Sequence, residues 1–429
     1  MLLQPVYVQF MRKICKSVVL VVAYVTLTGC ISSIGSRDIE APAIYLSPAG
    51  WQDNHLHLRE ATFTEYAQSI TEEVRRYRIP FNPENADAEV SMASPVELPL
   101  EKHCEGRANG IAVLVHGLSD TAFSLRDVGR VMADVCFRSR IILLPGHGTR
   151  AGDLLTTRLS DWQQTLHYLI DQAAAETDVL VLIGFSLGGV LTLDAALKKQ
   201  DVVDGVIGIS PAYHLSSARI ARWANIGAPF VRWVDRGVAD DSMRYEAMPT
   251  RGVAETWSAI KTLERRLDRY GPVEIPWMLA QSMDDAVIVP SDNEALWREH
   301  ALNPESRLIR FVSTQEFPEE EGVVTLPGSS ETDQVIALTH LAIHQSPENP
   351  RYGKHGTYRN CGGNMPRAGD AVEQCEQSEK VWYGLWTTEP EPGQAVAFST
   401  FNPSFDQLAE EIKSFARGIV NTATVGGGS

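Results

Sequence analysis

Residues 179–193 read VLVLIGFSLGGVLTL, and they carry the clearest signal of the fold. Five apolar residues run directly into Gly184-Phe185-Ser186-Leu187-Gly188. A continuous apolar run is typical of a strand buried on both faces. The G-x-S-x-G spacing is typical of a sharp turn from a strand into a helix, which glycines permit. Such a turn exposes the Ser186 hydroxyl at the positive end of the helix. The alternative is a packing turn with an inert serine.

Short apolar runs and helical patterns alternate on both sides of this stretch. The candidate strands are Gly110–Val115, Ile141–Leu144, Val179–Ile183, Val206–Ile209, Trp277–Ala280 and Leu308–Val312. Most are continuously apolar, as strands of parallel sheets are. This alternation predicts the α/β class, with a mostly parallel central sheet and flanking helices.

The composition excludes several classes of protein. The 429 residues carry 38 Lys and Arg against 54 Asp and Glu, a net charge of -16. A nucleic-acid partner is therefore not expected, because phosphate contacts need a basic surface. The apolar content of 44% argues against disorder. A multi-span membrane protein is excluded by the mean hydropathy of -0.13 and the single long apolar run.

A second strand candidate, 110–115, ends in His116-Gly117-Leu118. Parallel strands end at the same edge of a sheet, so this segment is expected near Ser186. We predict that the backbone N–H groups of Leu118 and Leu187 form an oxyanion hole. His116 is expected to shape this loop and not to act as a base.

These motifs resemble the α/β-hydrolase superfamily, and most closely bacterial serine hydrolases of the monoacylglycerol lipase and lysophospholipase-like branch. The resemblance rests on His116-Gly117-Leu118, Pro145-Gly146-His147-Gly148 and the Ser186 turn, and it spans roughly residues 109–350. It implies an α/β-hydrolase fold and a catalytic order of serine, acid, histidine. The Pro-Gly-His-Gly loop is structural in such enzymes, so His147 receives no catalytic role.

The acid is expected where the strand candidate near residue 280 ends, in Ser282-Met283-Asp284-Asp285-Ala286-Val287-Ile288-Val289-Pro290. Both Asp284 and Asp285 are candidates. The family pattern has a small residue three before the acid, an aliphatic residue three after it and a proline five after it. Asp285 fits this pattern with Ser282, Ile288 and Pro290, so we favour Asp285 over Asp284.

By the same resemblance, the base is the histidine that opens Thr339-His340-Leu341-Ala342-Ile343-His344. His340 is therefore the predicted base, with His344 as its rival and His355 as a remote third. Ser186 would attack an ester carbonyl, His340 would transfer the proton, and the aspartate would orient the imidazole. The sequence has no metal, nucleotide or flavin motif, so no metal or cofactor is expected.

We predict that residues 61–211 and 273–425 form the hydrolase core. Residues 212–272 interrupt the alternation and are predicted to form a helical cap insertion. Its aromatic residues Trp223, Phe230 and Trp233 either line an acyl pocket or form the core of the cap. Residues 426–429 are predicted to be a flexible tail.

The start of the chain resembles a bacterial lipoprotein leader. Arg12, Lys13 and Lys16 precede a short apolar run that ends in Leu27-Thr28-Gly29-Cys30. This predicts a signal peptide over 1–29, a lipid anchor on Cys30 and a tether over 30–60. An uncleaved anchor helix is the alternative. The residue after Cys30 is Ile31, not Asp, and resemblance to enterobacterial lipoprotein sorting then implies the outer membrane, facing the periplasm.

Four cysteines remain after Cys15 in the leader and Cys30. An exported chain meets an oxidising compartment, so these thiols predict two disulfides. Among three connectivities we favour Cys361–Cys375 with Cys104–Cys136. A zinc site is the alternative, but no C-x-x-C or H-x-x-x-H pair accompanies these cysteines.

The sequence thus predicts an exported, membrane-anchored carboxylic ester hydrolase acting on a small-molecule or lipid ester. A proline-type serine peptidase on the same fold is the alternative within enzymes. A non-catalytic envelope binding protein is the alternative from another class. The oligomeric state is left open.

Overall fold

The computed structural model describes residues 41–50, 61–237, 240–362, 369–385 and 394–426. The predicted signal peptide, Cys30, the tail residues 427–429 and most of the predicted tether lie outside the described residues. Within the described part of the chain, no helix is both long and apolar enough to cross a membrane.

Strands and helices alternate through most of the chain. The strands are β1 (Val96–Leu98), β2 (Gly110–Val115), β3 (Phe137–Ile141), β4 (Leu180–Phe185), β5 (Gly205–Ile209), β6 (Trp233–Asp235), β7 (Met248–Pro249), β8 (Trp277–Ser282), β9 (Arg307–Val312), β10 (Val323–Pro327), β11 (Trp382–Gly384) and β12 (Val396–Phe398). The α-helices are α1 (Phe63–Tyr77), α2 (Ala86–Ala93), α3 (Arg126–Asp134), α4 (Leu159–Ala174), α5 (Leu187–Lys198), α6 (Ala218–Ala221), α7 (Ala224–Gly227), α8 (Thr250–Tyr270), α9 (Pro290–His300), α10 (Gly369–Gln377) and α11 (Phe405–Gly426).

An eight-stranded sheet has the order β1-β3-β2-β4-β5-β8-β9-β10. The edge strand β1 runs antiparallel to β3, and every other neighbouring pair in this sheet is parallel. This confirms the predicted mostly parallel sheet. The chain moves from β2 outward to β3 and returns to β4 on the other side of β2. Strand order therefore reverses between β2 and β4, and a crevice for ligands forms at the carboxyl ends of such strands.

Both faces of this sheet are covered. Along β2, Ile111, Val113 and Val115 pack into one hydrophobic cluster, whereas Ala112 and Leu114 pack into another. Every residue of β2, β4, β5 and β8 is buried. Burial on both faces explains why these strands have continuously apolar sequences.

One strand prediction was wrong. The apolar run Ile141–Leu144 was expected to be the strand, but β3 comes earlier and contains two arginines. The guanidinium of Arg140 is almost completely buried and donates to Glu97 and Glu176, at 2.6 Å each. These partners satisfy the buried charge, which the local apolar pattern did not indicate.

The predicted cap insertion 212–272 contains the one-turn helices α6 and α7, the antiparallel pair β6–β7 and the long helix α8. Its last part, α8, packs against α5, which follows the Ser186 turn. At its start, the N–H of Ser216 donates to the Val287 carbonyl at 3.0 Å. The segment is therefore tied to the core at both ends.

The structure contains disulfides between Cys104 and Cys136 and between Cys361 and Cys375. These are the two pairings that the sequence analysis favoured. The second lies in the irregular region near α10 and the parallel pair β11–β12.

Removing either disulfide is expected to lower stability, since each closes a loop in the unfolded chain. The loops span 32 residues for Cys104–Cys136 and 14 for Cys361–Cys375. Paired Cys→Ser replacement should cost about 3–4 kcal/mol for each bridge, with the larger loss for the longer loop. Urea unfolding of both double variants measures the loss. Free thiols in peptide mapping of the unreduced native protein would contradict the pairings.

Candidate active site

Ser186 lies at the turn between β4 and α5. Its φ of 53° and ψ of -116° are strained values for a non-glycine residue. The flanking glycines make this turn possible. A Cβ on Gly184 would lie 2.3 Å from the Gly188 carbonyl oxygen, and one on Gly188 would lie 2.0 Å from the Val115 carbonyl oxygen. The G-x-S-x-G spacing therefore reflects close backbone packing around a half-exposed serine.

Three predicted residues form one chain of hydrogen bonds. Ser186 Oγ lies 2.9 Å from His340 Nε2, and His340 Nδ1 lies 2.7 Å from Asp285 Oδ2. The other carboxylate oxygen of Asp285 accepts from the N–H groups of Val287 and Ile288, at 2.8 and 3.2 Å. Asp285 and His340 are both buried. The carboxylate is thus fixed on one side and holds the imidazole on the other.

The neighbouring acid has different contacts. The N–H of Asp284 donates to Ser282 Oγ at 3.1 Å, and its Oδ2 has no hydrogen-bond partner among the described residues. The structure therefore brings Asp285, and not Asp284, to His340.

The rival histidines are not positioned to accept a proton from Ser186. His344 is fully buried, its ring centroid lies 4.1 Å from that of Phe185, and neither ring nitrogen has a partner among the described residues. Burial lowers the pKa of His344 well below its ordinary value, which disfavours the charged form. His355 is exposed.

The backbone at Leu118 and Leu187 carries N–H groups that have no acceptor among the described residues. Gly117 passes close to the serine, since a Cβ there would lie 3.2 Å from Ser186 Cβ. Leu187 is the first residue of α5, where backbone N–H groups have no acceptor within the helix. Neither its N–H nor that of Leu118 bonds to any residue in the described ranges. Two N–H donors without a partner in those ranges thus lie beside Ser186.

Two buried histidines hold this loop. His116 Nε2 accepts from the N–H of Leu144 at 3.1 Å, and its Nδ1 lies 2.8 Å from the Gly117 carbonyl. His147 Nε2 accepts from the N–H of Ser119, also at 3.1 Å. Both rings act as neutral acceptors, in keeping with the structural roles expected for them.

These histidines predict a loss of stability in acid. Burial lowers the pKa of His116 from its ordinary 6.5 to about 4. Below pH 6.5 the unfolded chain therefore binds a proton that the folded chain refuses, so stability falls as pH falls from 6.5 to about 4. His116 alone should contribute a loss of about 2.5 kcal/mol between pH 7.5 and 4.5. Urea unfolding at both pH values measures it. His116→Asn should flatten the dependence and the exposed control His103→Asn should not; an unchanged slope in His116→Asn contradicts this assignment.

The aromatic residues of the cap region do not form one group. Trp233 packs against the main core, but Trp223 and Phe230 are 57% and 85% exposed. This exposure contradicts a cap-core role for Trp223 and Phe230, whereas the acyl-pocket role stays a prediction.

The sequence analysis missed a group of buried charges behind the Leu118 loop. Asp120, Arg244, Asp241 and Arg351 lie together there, although they are up to 231 positions apart in the chain. No sequence motif links these four residues. The group is recognisable only in the folded structure, where the charged side chains are buried close together.

The model of a protein family described as serine aminopeptidase S33 (Hydrolase_4) matches residues 106–309. This span covers β2 to the start of β9 and contains Ser186 and Asp285. The matched span also includes most of the parallel strands of the central sheet and the turn from strand to helix at Ser186. The chain has an α/β-hydrolase fold.

The chain is also similar to individual proteins. Over 192 residues it is 24% identical to a thermostable monoacylglycerol lipase of Bacillus sp. (strain H-257), covering 43% of this chain and 74% of that one. Among solved structures, a monoglyceride lipase of Saccharomyces cerevisiae has a TM-score of 0.45 and 15% identity, covering 51% and 82% of the two chains. The monoacylglycerol lipase of Paleococcus ferrophilus has a TM-score of 0.41 and 16% identity, covering 51% and 88%.

Proposed function

We propose that the protein is a carboxylic ester hydrolase that works through an acyl-enzyme intermediate on Ser186. The observation that supports this most strongly is the hydrogen-bonded chain from Ser186 through His340 to Asp285. A serine beside a buried, oriented imidazole is an activated nucleophile. No other histidine in the described part of the chain bonds to Ser186.

In the first half of the reaction, Ser186 Oγ attacks the ester carbonyl carbon while His340 Nε2 takes the hydroxyl proton. The oxyanion that forms is stabilised by the N–H groups of Leu118 and Leu187. The C–O bond to the alcohol then breaks, and His340 gives its proton to the leaving oxygen. Asp285 stabilises the imidazolium throughout.

In the second half, His340 takes a proton from water, and the hydroxide attacks the acyl carbon. The bond from the acyl carbon to Ser186 Oγ breaks, and the proton returns to the serine. The products are a carboxylic acid and the free enzyme. The mechanism uses only side chains and backbone groups, and a small-molecule or lipid ester is the proposed substrate. The name of the Bacillus relative makes a monoacylglycerol the first lipid to test.

A serine aminopeptidase is the second candidate, because the matching family model carries that description. A panel of p-nitrophenyl esters of increasing acyl length, monoacylglycerols and amino-acid p-nitroanilides separates the two. We expect hydrolysis of esters and little of anilides, with Ser186→Ala inactive on both. Faster turnover of anilides would replace the ester proposal with the peptidase. Inactivity on the whole panel would favour a non-catalytic binding protein.

We further propose that a lipid on Cys30 anchors the mature protein to the outer membrane, facing the periplasm. The support is the Leu27-Thr28-Gly29-Cys30 pattern together with the two disulfides, which suit an oxidising compartment. Cys30→Ala should release the protein from membranes or stop removal of the leader. Unchanged membrane fractionation with a retained leader would instead favour an uncleaved anchor helix.

A further inference from the structure

Arg244 lies directly behind the loop that carries Leu118. The N–H of its neighbour Tyr245 donates to the Ser119 carbonyl at 2.8 Å, and Arg244 Nε lies 3.5 Å from Asp120 Oδ1. Ser119 and Asp120 immediately follow Leu118 in the chain. Arg244 therefore flanks the loop that we assign to the oxyanion hole.

The guanidinium of Arg244 makes no hydrogen bond to any residue in the described ranges, although its side chain is only 10% exposed. Its Nε is completely buried without a partner, and 3.5 Å from Asp120 is too long for a good N–H···O bond. The two Nη groups also lack partners among the described residues, and neither is completely buried. Buried polar groups normally have hydrogen-bond partners, so the unbonded donors of this arginine are unusual.

A second arginine nearby shows what full pairing looks like. Arg351 donates to Asp241 Oδ1 from Nε at 2.9 Å and from Nη2 at 2.6 Å. The hydroxyl of Tyr352 donates to the other oxygen of Asp241 at 2.7 Å. That carboxylate is therefore already occupied and does not pair with Arg244.

The plane of Arg244 is nevertheless held in place. Its guanidinium carbon lies 5.1 Å from the centroid of the Tyr352 ring, a cation–π arrangement that uses the face of the group. Asp120 lies on the Nε side. The edge with the two Nη groups makes no hydrogen bond within the described ranges, and such an edge binds carboxylate or phosphate through two parallel hydrogen bonds.

Asp120 balances the charge of Arg244 without using these donors. Its Oδ1 accepts from the N–H of Thr121 at 2.8 Å, and its Oδ2 has no partner among the described residues. An anion at the Nη edge therefore displaces no hydrogen bond of the protein. Because Asp120 also repels an anion, the bidentate hydrogen bonds must supply much of the binding.

We propose that the Nη edge of Arg244 is an anion subsite beside the reacting carbonyl, and that the preferred ester substrates carry a carboxylate or phosphate group. This inference rests on the proposed ester hydrolase function. It makes Arg244 a specificity-determining residue, whereas attack and proton transfer belong to Ser186 and His340.

Matched substrates test the proposal. For an anion on the acyl side, the pair is p-nitrophenyl valerate and mono-p-nitrophenyl glutarate, in which a carboxylate replaces the terminal methyl group. For an anion on the alcohol side, the pair is monooleoylglycerol and oleoyl lysophosphatidic acid. In at least one pair, we expect kcat/KM to be higher for the anionic member. The pair that shows this preference identifies which side of the ester carries the charge.

Arg244→Gln should then lower kcat/KM for the preferred anionic substrate by about 10- to 100-fold, the size expected for lost charged hydrogen bonds. The loss should appear mainly in KM, and the neutral partner should change by less than about 3-fold. Arg244→Lys should restore part of the loss. Arg222→Gln, which removes the same charge from an arginine beside the exposed Trp223, should change neither substrate.

Equal losses for the neutral and anionic members would show a structural role and overturn the subsite. So would a wild-type enzyme without preference in either pair. If Arg244→Gln does not fold, Arg244→Lys takes its place, since lysine keeps the charge but lacks the two-donor edge. If the folded wild type hydrolyses no ester, the ester proposal fails by itself. Calorimetric titration of wild type and Arg244→Lys with glutarate and with inorganic phosphate then tests the anion subsite. The subsite proposal is wrong if neither anion binds the wild type more tightly than it binds Arg244→Lys.

Discussion

Ser186→Ala is expected to lower kcat for ester hydrolysis by about 10⁴-fold or more, because it removes the atom that forms the acyl-enzyme. His340→Ala should cost a similar factor, since without the imidazole the serine keeps its proton. The double variant should be little slower than either single variant, because the residues act as a unit. Stopped-flow and steady-state assays on the best p-nitrophenyl ester measure these losses.

Two controls make this result specific. Ser291→Ala changes an exposed serine at the start of α9 and should leave kcat unchanged. His344→Ala should retain more activity than His340→Ala, because His344 makes no hydrogen bond to Ser186 or Asp285. Loss of activity in His344→Ala with full activity in His340→Ala would move the base by one helical turn along the chain.

Asp285→Asn is expected to lower kcat by about 10⁴-fold, the loss typical when the aspartate of a Ser-His-Asp triad is changed to asparagine. The amide can donate to Nδ1, so the imidazole adopts a tautomer that cannot take the serine proton. The two backbone N–H groups that hold the Asp285 carboxylate keep the loop in place. The loss should therefore appear in kcat with little change in fold.

Asp284→Asn is the matched control, since it makes the same chemical change one residue earlier. Asp284 does not contact His340, so kcat should change little. Circular dichroism of both variants establishes that they fold. A large loss in Asp284→Asn with a small one in Asp285→Asn would assign the acid to Asp284.

The sequence predicted the parts of the molecule that depend on local rules. The strands around Ser186 were recognisable because burial on both faces requires continuous apolar runs. The serine turn was recognisable because Gly184 and Gly188 have backbone atoms where any Cβ would lie. Asp285 was favoured over Asp284 from spacing within one short loop, and the structure places its carboxylate 2.7 Å from His340 Nδ1.

The sequence did not reveal features that depend on distant partners. The strand β3 was misplaced because Arg140 looks exposed until Glu97 and Glu176 are brought beside it. The edge strands β1 and β10 were missed, since neither has a long apolar run. Arg244 was missed for a similar reason. Its side chain becomes buried only when the cap segment 212–272 packs against the loop that carries Leu118.

The central claim is that Ser186 is an activated nucleophile in a working hydrolase. Labelling of the folded protein with a fluorophosphonate, followed by peptide mass spectrometry, tests it most directly. We predict one covalent adduct, on Ser186, which disappears in Ser186→Ala and is strongly slowed in His340→Ala. A folded wild-type protein that forms no adduct, or forms it on another residue, would contradict the claim.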